Sequence, residues 1–153
     1  MIEPAHVQDL IGHWWFVYDQ GDFEAMRSLI TSDMQFLCRT DTGETDFEEF
    51  VRAYIRGRDE VMEWMVPHRH GSPYPLRHHG TNIHLTKRGD QEAEFASYIF
   101  VAQTVAMTPS PIPGGVVTGA VRVEDGELKI AQLAITLDTV ESHTMSDAIG
   151  ATS

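Results

Sequence analysis

The chain of 153 residues has a single cysteine, Cys38. No disulfide can form within it, which fits a reducing, cytoplasmic compartment. Beside Leu37 in a strand-like run, it reads as a small core residue rather than a nucleophile. Long apolar runs are also missing: none approaches the roughly 20 residues that span a bilayer. Met1-Ile2-Glu3-Pro4 lacks the basic start and apolar core of a secretory signal. Basic residues are scarce, with 11 Lys and Arg against 23 Asp and Glu and a formal charge of −12. Such a surface repels phosphate backbones and anionic lipid heads, so neither nucleic acid nor membrane is an expected partner. Neither a glycine-rich phosphate loop nor a Gly-x-Ser-x-Gly elbow occurs. There is no repeat, no low-complexity tract and no dividing linker. With 42% apolar residues, the expectation is one domain over 1–141 and a polar, frayed tail over 142–153.

What is present changes character half-way. The first half reads as helices and the second as strands, which argues for an α+β fold. Val7, Leu10, Ile11, Trp14 and Tyr18 recur at helical steps over 4–19. Pro4 suits the first turn and Gly21 the stop. Asp22 can cap a short second helix with Phe23, Met26, Leu29 and Ile30. A strand over 34–39 follows. Thr45 with Glu48, or Asp46 with Glu49, has the spacing of a capping box. It opens a third helix carrying Phe47, Phe50, Val51, Tyr54 and Ile55, expected to run past Gly57 toward Met65. Pro67, Gly71, Pro73 and Pro75 read as a loop. Strands follow over 77–87, 92–104, 116–124 and 128–137. Asp125-Gly126 makes a hairpin turn, and the prolines and glycines of 107–115 suggest a loop.

Three helices followed by hairpin-linked strands, with Tyr18-Asp19-Gln20-Gly21-Asp22 closing the first helix, resemble the nuclear transport factor 2-like superfamily. The nearer likeness is to its SnoaL-like branch, which includes scytalone dehydratase. Leu76-Arg77-His78 is similar to the strand entry that carries a catalytic histidine there, and Asp125 to Ala131 to the final hairpin. The resemblance implies a cone: a curved antiparallel sheet wrapped around three N-terminal helices, with an apolar cavity inside. It also implies a homodimer or higher oligomer through the sheet. The sequence departs from scytalone dehydratase at Gln103, where that enzyme has a second histidine, and at Cys38, where it has a tyrosine.

The implied catalytic trio is His78, Asp19 and Tyr18. Imidazole exchanges protons near neutral pH. Asp19 would orient it, and Tyr18 would donate to an enolate-like oxygen. Trp14, Cys38, Tyr54, Asn82 and Gln103 are the expected substrate-binding residues, and no cofactor is required. The expected activity is a cofactor-independent lyase or isomerase acting on a small, apolar or aromatic carbonyl compound. A non-catalytic binding domain, or a structural subunit like the dioxygenase beta subunit, is the alternative. Two points stay open. Strand alternation puts His79 on the face of Ile83 and Leu85, whereas the resemblance chooses His78; a bulge would reconcile them. His68 and His70 have the spacing of a metal pair, but they fall in the expected loop without a cysteine, and no metal is expected.

Overall fold

The computed structural model describes residues 1–150. Helix α1 (Pro4–Gln20) buries Val7, Leu10, Ile11, Trp14, Trp15 and Tyr18 along one side. It ends at Gly21, whose φ of 71° is the left-handed conformation that glycine adopts without strain. The Gly21 N–H donates to the Tyr18 carbonyl and the Asp22 N–H to the Val17 carbonyl, at 3.0 and 2.9 Å. Asp22 then accepts from the Ala25 N–H at 3.0 Å and caps α2 (Phe23–Ser28).

The expected third helix is three elements. These are α3 (Glu48–Val51), strand β2 (Ala53–Arg56) and α4 (Arg58–Gly71), with β1 (Ile30–Thr40) before them. Gly57 breaks the helical path at φ 103° and ψ 139°. The segment before it pairs with β1, from Gln35↔Arg56 to Cys38↔Ala53. Sheet pairing thus overrides a local helical pattern. Glu48 does not close a reciprocal capping box. Its carboxylate accepts from the Thr40 backbone N–H and from the hydroxyls of Thr40 and Thr45. Helix α4 also runs through Pro67 to Gly71, so the expected loop begins later. The carbonyl that loses its partner there belongs to Glu63, which is solvent-exposed.

The remaining strands are β3 (Leu76–Lys87), β4 (Glu92–Val105), β5 (Thr108–Glu124) and β6 (Glu127–Leu137). The sheet order is β2-β1-β6-β5-β4-β3. The expectation of an antiparallel sheet is corrected at one place: β1 and β6 run parallel, in register from Gln35↔Gln132 to Thr40↔Leu137. No hairpin joins those two strands, so no turn dictates their relative direction. The 107–115 loop is also corrected. Ala106 and Met107, at φ 49° and 62°, form a tight turn, and β5 starts at Thr108. Pro109, Pro111 and Pro113 recur every second residue, so their missing donors share one edge. This stretch pairs with β4 alone, because β6 joins only from Gly115.

Residues Met145–Gly150 of the expected frayed tail form a short exposed helix, α5. The last three residues of that tail lie outside the described residues. Helix α1 packs chiefly on β3 and α4 on β1, near opposite edges of one face of the curved sheet. The core fills the space between, and the cavity opens within it.

Candidate active site

The cavity has a volume of about 150 Å³, room for a small aromatic ligand. Most of its wall is apolar: Trp14, Phe36, Trp64, Met65, Ile99 and Val101 contribute. Tyr18, Cys38, His68, Ser72 and His78 bring the polar atoms.

His78 arrives from β3. Leu76, His78 and Gly80 face inward, and so do Ile83 and Leu85. Simple alternation forbids both sets on one face. The strand resolves this with a bulge at Asn82. Thr81 pairs with Tyr98 and His84 with Ala96, so β3 carries one extra residue, and Asn82 adopts φ 57°. The bulge resets the alternation. His79 lies on the outside, beside Phe100, with ring centroids 5.9 Å apart.

Asp19 holds His78 twice. Its Oδ2 accepts the His78 backbone N–H at 2.7 Å, and its Oδ1 lies 2.6 Å from Nδ1. In a neutral ring the second contact places the proton on Nδ1 and leaves Nε2 with the lone pair. Trp15 stacks on the imidazole at 4.9 Å and 9°, and Tyr18 meets it edge-on at 5.2 Å. Gly80 makes this possible: a Cβ there would sit 3.2 Å from Trp15 Cδ1.

A carboxylate in the last turn of a helix opposes the helix dipole. Arg69 of α4 offsets this. Buried at 5% exposure, it donates to the Tyr18 carbonyl at 3.0 Å, the Asp19 carbonyl at 2.8 Å and the Pro73 carbonyl at 3.0 Å. One guanidinium therefore satisfies the carbonyl end of α1 and fixes the loop after α4.

Burial pushes the Tyr18 hydroxyl up to about 12, although Ser72 and Arg69 pull the other way. Tyr18 is therefore a protonated donor at neutral pH. Burial also pushes the Cys38 thiol up to about 12, with Glu48 adding to it. Cys38 is a neutral wall residue and not a thiolate nucleophile.

Trp14 and Cys38 line the cavity as expected substrate neighbours, but three others do not. Tyr54 is 87% exposed, because the segment bearing it is a strand and not the inward side of a helix. Asn82 is the exposed bulge residue. Gln103 lines a separate outer groove with Arg77, His79 and Pro109, on the part of β4 that extends into the β5 hairpin.

The sequence reading missed His68. It lies on the last turn of α4 rather than in a loop, stacked between Trp64 at 4.1 Å and Phe50 at 4.3 Å. Burial, helped by the nearby Arg69 charge and opposed by the Phe50 backbone, drives its imidazole down to about 4. Trp64 four residues earlier was the available signal, provided the helix was seen to run through Pro67. His70 turns away and meets Phe23 edge-on at 5.3 Å. Two residues apart on a helix point apart, so the His-x-His spacing does not converge here. Among the described residues no group of three His, Cys, Asp or Glu side chains is placed to hold a metal ion.

Residues 3–134 match the SnoaL-like domain. The chain belongs to this family. No curated protein matches it. Solved structures share its fold at low identity. One is a protein assigned as a scytalone dehydratase from Novosphingobium aromaticivorans, with TM-score 0.70, 15% identity, and 92% of this chain and 87% of that one covered. Another is a Catenulispora acidiphila protein in complex with S-DNPA, at TM-score 0.68 and 19% identity, covering 97% and 96%. A third is the beta subunit of benzoate 1,2-dioxygenase from Burkholderia mallei, at TM-score 0.69 and 15% identity, covering 90% and 91%. The same fold thus appears in a protein assigned as a dehydratase, in one that holds S-DNPA and in a dioxygenase subunit. No helix among the described residues is long and apolar enough to cross a membrane.

Proposed function

We propose that this SnoaL-like domain is a cofactor-independent lyase or isomerase acting on a small, apolar carbonyl compound. The observation that carries this reading is the doubly held His78–Asp19 pair, set beside Tyr18 in an apolar cavity. His78 Nε2 takes a proton alpha to the carbonyl. Asp19 keeps the tautomer and stabilises the imidazolium as it forms. Tyr18 donates to the developing enolate oxygen. His78 then returns its proton to a different carbon, giving isomerisation; to a departing hydroxyl, giving elimination of water; or to the alkoxide left when the enolate carbon attacks a second carbonyl of the substrate, giving ring closure. Catalysis is the role supported for His78, Asp19 and Tyr18, with Trp14 and Cys38 as substrate neighbours.

The test needs no knowledge of the natural substrate. Deuterium exchange at the alpha carbon of 2-tetralone, followed by NMR, reports proton abstraction directly. The His78→Ala variant should lose roughly 10²–10⁴-fold in rate while keeping the wild-type circular dichroism. Near-native exchange in that variant would sink the reading.

A second reading, a binding domain or a subunit without chemistry, draws on the polar inventory. Cys38 contributes no charge, and Gln103 stays outside the cavity. Association through the sheet is supported by its outer face, where Tyr98, Phe100 and Val116 are 57, 51 and 41% exposed. A second copy of the chain is the proposed occupant.

A further inference from the structure

Two histidines border the cavity, and only one is committed to an acid. His68 has no acidic partner among the described residues. Both faces of its ring are covered, by Trp64 at 18° and by Phe50 at 24°, so only its edge can reach a ligand. One ring N–H is engaged by the Phe50 backbone. In a neutral imidazole the other nitrogen then carries a lone pair and can only accept. The wall around it is aromatic and aliphatic, so an acceptor there gains most from a ligand that brings its own donor. Tyr18 supplies the opposite function, a protonated O–H. Apart from the proposed base His78 and the small polar groups of Ser72 and Cys38, the cavity therefore offers Tyr18 as a donor and His68 as an acceptor, both flanked by flat rings.

We infer that His68 reads a hydroxyl, accepting a hydrogen bond from the phenolic or enolic O–H of a flat, hydroxylated aryl carbonyl ligand. This rests on the reading of the cavity as a site for small carbonyl compounds. It adds the substrate class: the carbonyl is taken by Tyr18 and the hydroxyl by His68. Burial supports it, because His68 stays neutral across the physiological range.

The probes are the 5-, 6- and 7-hydroxy-1-tetralones, each against its methoxy counterpart, which keeps the ring and removes the donor. Affinity is measured by quenching of tryptophan fluorescence. Wild type should bind at least one hydroxy probe about ten-fold tighter than its methoxy partner. In His68→Phe, which preserves the aromatic stack, that preference should fall to within about two-fold. A second measurement uses the wild type alone. The ¹⁵N resonance of the unprotonated His68 nitrogen should move with the hydroxy probe and stay still with the methoxy one. Equal affinities, no binding by any probe, a preference that survives in His68→Phe, or an unmoved His68 resonance would each overturn the inference. The outcome separates from catalysis. If His78→Ala retains exchange activity while the hydroxyl preference depends on His68, the catalytic reading fails and this one stands.

Discussion

His78 and His68 are the same residue type in the same cavity, yet their surroundings are opposite. His78 comes from a strand and is tied to Asp19 through both its backbone and its ring. His68 comes from a helix, has aromatic rings on both faces and sits beside Arg69. A carboxylate lets His78 carry a proton in passing. Rings and a neighbouring cation keep His68 neutral and leave it to accept. In the proposed site, environment and not residue identity divides the work.

The largest effect should come from untying His78. In Asp19→Asn the side chain can present its amide to Nδ1, which favours the wrong tautomer. Exchange at the alpha carbon should fall by roughly 10³–10⁴-fold, with the far-ultraviolet spectrum unchanged. A loss under ten-fold would mean that Asp19 only fastens β3 to α1.

A smaller effect should mark His68. Its folded value of about 4 lies below the ordinary 6.5. Between these values the unfolded chain binds the extra proton, so stability rises with pH and falls as pH drops from 6.5 toward 4. The full shift corresponds to roughly 3 kcal/mol at most, less for the part of the ring that water reaches. Urea denaturation at pH 7.5, 6, 5 and 4.5 should show this slope in wild type and a shallower one in His68→Phe. Equal slopes would remove the contrast between the two histidines.

The smallest effect should come from Gly80→Ala. The new methyl would crowd Trp15 at 3.2 Å and disturb its stack on His78. The expected cost is about 1–2 kcal/mol, read as a lower melting temperature, together with a modest loss of exchange activity. An unchanged melting temperature would show that the indole gives way freely.

Much of this was legible in the chain. Val7, Leu10, Ile11, Trp14 and Tyr18 announce α1, and Gly21 and Asp22 announce its end and the next cap. The resemblance implied the α+β cone, and the order of helices and strands agreed with it. Other parts were not legible, for reasons that can be named. Phe47 to Ile55 carries a helical pattern, but from Ala53 onward its partner is β1, more than ten residues away in sequence. Pro109, Pro111 and Pro113 look like a loop until one sees that their outer edge has no neighbour to bond. Pro67 suggests the end of a helix that in fact continues to Gly71, and the local pattern alone leaves His68 in a loop.

The sequence by itself determined the composition of the site: one acid at a helix end, histidines near a strand start, a tyrosine on an apolar stripe and a surplus of large aromatics. These are local facts, set by spacing and residue type. Tertiary structure alone decided which histidines face the cavity and what surrounds each. The bulge at Asn82 turned His78 inward and His79 outward. The stack of Trp64 and Phe50 buried the His68 ring and favoured its neutral form. Both outcomes depend on pairing and packing between segments far apart in the chain, and no local pattern encodes them.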